Sequence, residues 1–285
     1  MKGDFIMGKL REQMKMDLKL KGYSPKTQVA YLGYMKNFVR YFGRSPAKMG
    51  EKEIREYLYH LITGRDLGDS SINSAYSALK FFYETTLCRD WNVAKIPRRK
   101  PEKRLPVVLD GSEIKQLLAV TTNLKHRAIL MTTYSAGLRV SETANLKVCD
   151  VDSKRMQLRV AQGKGKKDRY ALLSPVTLNL LRDYWRQYRP FSWLFPGRSP
   201  ERPISTRSIQ KVFKDAKRKA GIKKPATVHT LRHSFATHLL EAGTDIYRVQ
   251  KLMGHTTPKT TAIYIHLRRQ DLLKVVSPLD SLMDS

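Results

Sequence analysis

The chain has 285 residues, with 54 Lys or Arg against 25 Asp or Glu, so its formal net charge is +29. At 41% hydrophobic and 28% charged residues it is too apolar for a disordered chain, and its length suits one or two domains. Two cysteines, Cys88 and Cys149, exclude a disulfide framework and fit a reducing compartment. No apolar run is long enough for a signal peptide or a membrane span, so we expect a cytoplasmic protein without a membrane partner.

The excess of positive charge indicates a polyanionic partner, of which nucleic acid is the common one. We count a net charge of about +11 in residues 1–104 and about +18 in residues 105–285, so both halves are expected to contact the polyanion. The alternative is a basic protein whose charges are simply solvated.

Apolar residues of the first hundred positions recur at helical intervals. Ser24, followed by a proline, predicts the start of a helix, and Gly43 predicts its end. Further helices are predicted over residues 51–62 and from Ser70 onward. These segments predict a small helical bundle in residues 1–94, in which we interpret every apolar stripe as core.

Residues 95–106 combine three prolines with six basic residues and predict a linker. A flexible basic segment can lie along phosphates while the domains on either side grip a duplex; the alternative is a solvated hinge. The candidate phosphate contacts are Arg98, Arg99, Lys100, Lys103 and Arg104.

The second half, residues 107–285, has the mixed pattern of a domain with helices and a small β-sheet. Alternation over residues 155–161 predicts a strand, residues 163–169 a hairpin turn and residues 170–173 the return strand. Helices are predicted over residues 113–120, 124–134, 141–146, 176–188, 206–220, 230–242, 246–253 and 260–267. The fold class is therefore mostly α with a small β-sheet.

Several residues of this half have side chains suited to phosphate chemistry. His229 and Arg232 share one flank at the start of a predicted helix, where the dipole and free N–H groups favour an anion. Arg139 precedes Glu142 by three residues, a spacing at which a carboxylate can orient a guanidinium. A helix cap, a surface arginine and an ordinary ion pair are the alternatives.

Lys164 lies on a glycine-flanked turn, from which a lysine can reach a groove or protonate a leaving oxygen. Lys166, Lys167 and Arg169 on the same turn are interpreted as phosphate anchors. The turn lacks the spacing of a nucleotide-binding loop, and the five histidines from 229 to 266 lack the glutamate of a zinc helix. We therefore expect no metal and no cofactor.

Tyr264 follows these cationic groups and has the type of side chain that can attack a phosphodiester. To act as a nucleophile, the phenol needs nearby cations that stabilise its phenoxide form. The phosphotyrosyl ester that results keeps the energy of the broken backbone bond. Rejoining would then need only a sugar hydroxyl, which agrees with the absence of an ATP-binding motif.

Taken together, these motifs resemble the tyrosine recombinase family, which includes phage integrases and Xer-like enzymes. The order and spacing are similar over residues 107–270, and residues 1–94 resemble the family's helical core-binding domain more weakly. The matching motifs are Gly137-Leu-Arg139, Gly163-Lys164-Gly165, His229-x-x-Arg232-His233, Leu252-Met-Gly-His255 and Thr261-x-x-Tyr264. Lys166 stands where the family often has asparagine, so Lys164 and Lys166 both remain candidates for the reaching lysine.

The resemblance implies a site-specific recombinase with a 3′-phosphotyrosyl intermediate. In it, Arg139 and Arg232 would clamp the phosphate, Lys164 would protonate the leaving 5′-oxygen, and His229 would act as acid and base. His255 would bind the phosphate and Tyr264 would attack. The partners implied are double-stranded DNA with an inverted-repeat core site and further copies of the chain, which would form a tetrameric synapse on that DNA. Free in solution, the protein could still be a monomer. A type IB topoisomerase and a non-catalytic DNA-binding protein are the alternative functions. The apolar tail beyond Tyr264 could pack either on its own domain or on a neighbouring protomer.

Overall fold

The computed structural model describes residues 2–65, 67–92, 95–100, 105–161 and 168–254. The chain divides into two units, residues 1–104 and residues 105–285. The predicted helix over residues 260–267 and the apolar tail lie outside the described residues. No helix among the described residues is both long and apolar enough to span a membrane.

The described residues of the first unit form four α-helices, with a wider π-type turn at Phe82–Thr86. The helices are α1 (Lys2–Leu20), α2 (Pro25–Phe42), α3 (Glu51–Thr63) and α4 (Asp69–Phe81). The start of α2 is as the sequence predicts, because the Ser24 hydroxyl accepts a hydrogen bond from the Thr27 amide at 3.2 Å. Gly43 ends the helix in the left-handed conformation, with φ of 66°.

Aromatic side chains fill the core of this unit. Phe38 is fully buried and makes edge-to-face contacts with Phe42 and Tyr57, with ring centroids 5.5 and 5.2 Å apart. The Tyr83 hydroxyl donates to the Pro46 carbonyl at 3.0 Å, so this buried phenol has a partner.

The second unit contains seven helices and a sheet of three strands among its described residues. The sheet is antiparallel in the order β1-β2-β3, and Leu158 pairs with Ala171 and Val160 with Arg169. The helices are α5 (Gly111–Ala119), α6 (Leu124–Ser135), α7 (Val140–Ala144), α8 (Pro175–Tyr188), α9 (Thr206–Lys219), α10 (Val228–Glu241) and α11 (Ile246–Met253). The strands are β1 (Val151–Asp152), β2 (Gln157–Val160) and β3 (Arg169–Leu172).

The predicted fold class, mostly helical with a small sheet, is confirmed. Several element boundaries differ from the prediction by one or two residues. Strand β2 begins at Gln157, because residues before it form a turn in which Met156 has a positive φ of 54°. Strand β3 begins one residue early, at Arg169, and α10 begins at Val228, with the Thr227 amide bound to the Thr230 hydroxyl at 3.0 Å.

Candidate active site

The site begins at the tight connection between α6 and α7. Gly137 has a φ of +58°, and a Cβ atom at this position would lie 2.3 Å from a ring carbon of Phe235 and 3.2 Å from the sulfur of Met253. Only glycine fits both the backbone conformation and the space. The connection therefore lies directly against α10 and α11, and it places Arg139 at the start of α7.

Glu142 orients Arg139 through both of its oxygens. The Arg139 amide donates to Glu142 Oε2 at 2.8 Å, and the guanidinium Nη1 donates to Oε1 at 2.7 Å. Glu142 is nearly buried, with 8% of its surface exposed, whereas the Arg139 side chain is 21% exposed. The pairing predicted from the three-residue spacing thus holds, and it leaves the guanidinium accessible to a ligand.

Arg232 lies on the inner side of α10 and is 1% exposed. Its guanidinium donates hydrogen bonds to the carbonyls of Gly137 and Met253, and its Nη1 lies 3.8 Å from Glu142 Oε2. A buried charge of this kind carries a desolvation cost, so it gives little reason to expect added stability. The two carbonyls fix the guanidinium in place beside Glu142.

A third arginine contacts the same carboxylate. Arg169 Nη2 donates to Glu142 Oε2 at 2.7 Å, and only 12% of the Arg169 side chain is exposed. Burial lowers the pKa of Arg169, while the charge of Glu142 opposes that effect and the charge of Arg139 adds to it. We call Arg139, Arg169 and Arg232 the arginine cluster. Together with Glu142, its three guanidinium groups have a formal net charge of +2.

Two imidazoles of α10 lie beside the cluster. The rings of His229 and His233 meet edge to face, with centroids 4.5 Å apart. Partial burial lowers the pKa of His229, and the charges of Arg232 and Arg139 lower it further. Burial, His229 and Arg232 lower the pKa of His233 to about 4. His229 is solvent-accessible and neutral at neutral pH, so its imidazole can accept a proton.

Comparison with known proteins identifies the family. The phage integrase family matches residues 107–271, and its N-terminal SAM-like domain matches residues 10–93. The Sinorhizobium fredii protein y4qK, classed with integrases and recombinases, is 42% identical over 98% of this chain and 91% of its own length. This chain belongs to the phage integrase family. It is a tyrosine recombinase, an enzyme of the class that breaks and rejoins DNA strands.

A further relative and a solved structure are also similar to this chain. The tyrosine recombinase XerA of Pyrococcus horikoshii is 33% identical over 96% of this chain and 94% of its own length. The crystal structure of the XerH site-specific recombinase bound to a palindromic difH substrate, a post-cleavage complex, has the same fold with a TM-score of 0.72. It is 20% identical and covers 93% of this chain and 83% of that one.

The structure of this tyrosine recombinase brings together Arg139, His229 and Arg232 from the predicted catalytic set. Lys164, His255 and Tyr264 lie outside the described residues, as do Lys103, Arg104, Lys166 and Lys167. Among the described residues no group of three or more His, Cys, Asp or Glu side chains is placed to hold a metal ion.

Of the predicted phosphate anchors, Arg98 and Arg99 bind residues of their own unit. Arg98 Nε donates to the Asn73 side chain at 3.3 Å, and Arg99 Nε lies 2.7 Å from an oxygen of Asp69, the first residue of α4. Lys100 is exposed. The beginning of the predicted linker is therefore held against α4 at these two arginines.

Arg169 does not occupy the hairpin turn where the sequence analysis placed it. It is the first residue of β3, and its side chain lies inward beside Glu142 rather than at the tip. Burial alternates along β3, where Ala171 is buried and Tyr170 is exposed, but Tyr170, Ala171 and Leu172 are all apolar, so the sequence carries no signal for the inward side of Arg169. The contact between His233 and His229 was also missed, although their four-residue spacing on a helix predicts it.

The polar face of α9 has no role predicted from the sequence. Its basic residues line an open groove with a volume of about 660 Å³, together with serine, glutamine and aspartate side chains. The buried face of the same helix contributes Ile209, Val212 and Phe213 to the core. The basic residues are Arg207, Lys211, Lys214 and Arg218.

Proposed function

We propose that this tyrosine recombinase cleaves and rejoins duplex DNA at a specific site through a 3′-phosphotyrosyl intermediate, using neither a metal ion nor ATP. The observation that supports it most directly is the arginine cluster held by Glu142 beside the neutral His229. A fixed set of guanidinium groups stabilises the negative charge that develops on the phosphate in the transition state.

In the proposed reaction the Tyr264 oxygen attacks the scissile phosphorus and the bond to the 5′-oxygen breaks. Lys164 gives a proton to that leaving oxygen, and His229 accepts the proton of the phenol. Arg139 and Arg232 bind the non-bridging oxygens with help from His255. Attack by a free 5′-hydroxyl reverses the step and restores both the backbone and Tyr264. The roles of Lys164, His255 and Tyr264 rest on their match to the family motifs.

The charge distribution supports a duplex as the substrate. The exposed basic face of α9 can contact phosphates and base edges. In this proposal residues 1–94 and residues 107–285 form two DNA-binding domains, joined by a linker over residues 95–106 that follows the phosphates with Lys100, Lys103 and Arg104. The structurally similar XerH recombinase was crystallised with a palindromic substrate, which supports an inverted-repeat core site here. The synapse of four protomers is proposed from the resemblance to the family.

The test is covalent capture of DNA by the purified full chain. A duplex library with a randomised central window and a nick near the window traps covalent intermediates, because the short cleaved strand diffuses away. We expect wild-type protein to form SDS-resistant adducts that enrich one inverted-repeat sequence, and the enriched duplex then serves as substrate. Adducts without sequence preference, formed by a monomer that relaxes supercoiled DNA, would favour a topoisomerase instead.

Tyr264→Phe is expected to abolish this adduct while leaving duplex affinity within about threefold, since it removes one hydroxyl from a large interface. Tyr247→Phe is the matched control, because Tyr247 lies on α11 with 73% of its surface exposed and should form adducts at the wild-type rate. An adduct that persists in Tyr264→Phe would assign the nucleophile to another residue.

A further inference from the structure

Arg169 is the member of the arginine cluster for which the proposed chemistry gives no role. Its side chain is buried, and its Nη2 binds Glu142 Oε2 at 2.7 Å. Nε and Nη1 are buried and have no hydrogen-bond partner within the described residues. A guanidinium in such surroundings is a poor source of stability.

Arg159, on the neighbouring strand, shows that an arginine of this sheet can pair with a buried carboxylate without being buried itself. Arg159 lies on β2 and donates to the buried Asp150 at 3.0 Å, but its own side chain is 47% exposed and keeps much of its hydration. Arg169 has lost most of its hydration to reach Glu142. Its position is therefore explained by what it does to Glu142 rather than by ordinary pairing along the sheet.

The geometry at Glu142 shows what that effect is. Oε2 accepts from both Arg169 Nη2 and the Arg139 amide, at 2.7 and 2.8 Å, which leaves Oε1 for the Arg139 guanidinium at 2.7 Å. Two donors on one oxygen fix the rotation of the carboxylate plane. Without Arg169, Oε2 would keep only the Arg139 amide as a donor. The attraction of Arg232, whose Nη1 lies 3.8 Å away, would then turn the carboxylate and displace the Arg139 guanidinium bound to Oε1.

The backbone of Gly254 holds Arg169 from the other side. A Cβ atom on Gly254 would lie 2.5 Å from Cδ and 2.6 Å from Nε of Arg169, so the glycine is needed for this contact. Arg169 thus links β3, the end of α11 and Glu142 at the start of α7. In sequence it follows the segment that carries Lys164, and Gly254 directly precedes His255.

We propose that Arg169 is a positioning residue of the cleavage step, which holds the Glu142 carboxylate in the orientation that aims the Arg139 guanidinium at the scissile phosphate. This inference rests on the proposed function, because it assumes that Arg139 binds that phosphate. Arg169 itself acts through Glu142 and does not contact the reacting atoms.

The experiment measures single-turnover adduct formation by the full chain on the enriched suicide duplex, together with duplex affinity. Arg169→Met is expected to slow adduct formation about 10- to 100-fold with affinity changed less than about threefold, because a misplaced catalytic group lowers the rate of the chemical step. Arg169→Lys, which keeps the charge but not the fork, is expected to recover part of the rate. The control Arg159→Met should cleave at the wild-type rate.

A second pair of variants tests the same contact without changing Arg169. Gly254→Ala is expected to displace Arg169 and reproduce the loss of rate. Gly221→Ala is its control, since Gly221 has a similar φ of +65° with nothing within 4 Å of the added Cβ. Both substitutions carry the same backbone strain, so a loss of rate confined to Gly254→Ala is specific to this position. Because Gly254 precedes His255, the contact with Arg169 accounts for the loss only if Gly254→Ala causes no further loss in the Arg169→Met variant.

Coupling to Arg139 separates positioning from a general structural role. In an Arg139→Lys background the further loss caused by Arg169→Met is expected to be small, because the fork that Arg169 positions is already gone. Full additivity of the two losses would overturn the inference, as would a wild-type rate in Arg169→Met. Adducts in the wild type with either of these results would leave the proposed function standing, whereas no adduct in any protein would overturn both.

Discussion

The two units of the molecule bury different kinds of polar group. Within the described part of residues 1–104, the buried polar side chains besides tyrosines are Asn73 and Thr86. In residues 105–254 the buried set includes Arg232, Glu142 and Asp150. The first unit therefore has an almost uncharged core, and the second contains ionic groups among its apolar residues.

This difference indicates which unit contains side chains whose burial is not explained by stability. Burial raises the pKa of Tyr57 to about 12 and raises that of Tyr83 as well, so both phenols stay neutral and cost little in a core. A buried guanidinium stays charged, so a hydrogen-bonding or oppositely charged partner must offset its desolvation cost. Buried charges of the second unit are accordingly candidates for function. Arg169 and Arg232 converge on Glu142, whereas Asp150 has an ordinary partner in the half-exposed Arg159.

The largest effect on stability is expected in the aromatic core. Phe82→Ala removes a fully buried ring from the π-type turn that follows α4. We expect the first unit to lose about 3–5 kcal/mol of unfolding free energy, because the buried ring is lost and a cavity is left. Hydrogen exchange of the α2 and α4 amides measures it. Phe191→Ala, at a ring that is 98% exposed, is the control and should change stability by less than about 0.5 kcal/mol. Equal effects of the two substitutions would contradict the comparison.

In the second unit, Arg232→Met is expected to reduce cleavage strongly and stability only slightly. We expect adduct formation to fall about 10²–10³-fold, as when one oxyanion donor is removed. The unfolding free energy should change by less than about 2 kcal/mol, because relief from burying a charge offsets the loss of hydrogen bonds to two carbonyls. Glu142 keeps Arg139 and Arg169 in this variant. A stability loss as large as that of Phe82→Ala, with cleavage retained, would make Arg232 a structural residue.

Most of the helices, the hairpin of β2 and β3 and the pairing of Arg139 with Glu142 could be predicted from the sequence, because all three depend on local spacing. Periodicity predicted α2 and its cap, and a three-residue separation predicted the ion pair. The convergence of Arg232 on Gly137 and Met253 could not be predicted in this way. It depends on how α10 packs against segments 95 residues earlier and 21 residues later, which no local pattern encodes.

The short strand β1 and the position of Arg169 show two other limits. Strand β1 has two residues, too few for any alternation to be visible. For Arg169 no alternation is visible either, since Tyr170, Ala171 and Leu172 are all apolar, and the glycine and lysine residues before it favour a turn that extends through residue 169. The backbone forms a ladder there, since Val160 pairs with Arg169, and this pairing turns the arginine inward.

The smallest effect we predict concerns the neutral histidines that accompany the charged groups. The pKa of His233 is about 4 in the folded chain, below its ordinary value of 6.5, so folding favours the neutral ring. Stability from this source is present above about pH 6.5 and is lost as the pH falls toward about 4. We expect His233→Gln to reduce the acid-dependent loss of unfolding free energy by about 1 kcal/mol, allowing for solvent screening of a partly exposed ring. Denaturant titrations of wild type and variant across this pH range measure it, and an identical pH dependence would show that burial beside Arg232 and His229 does not control the ionisation of His233.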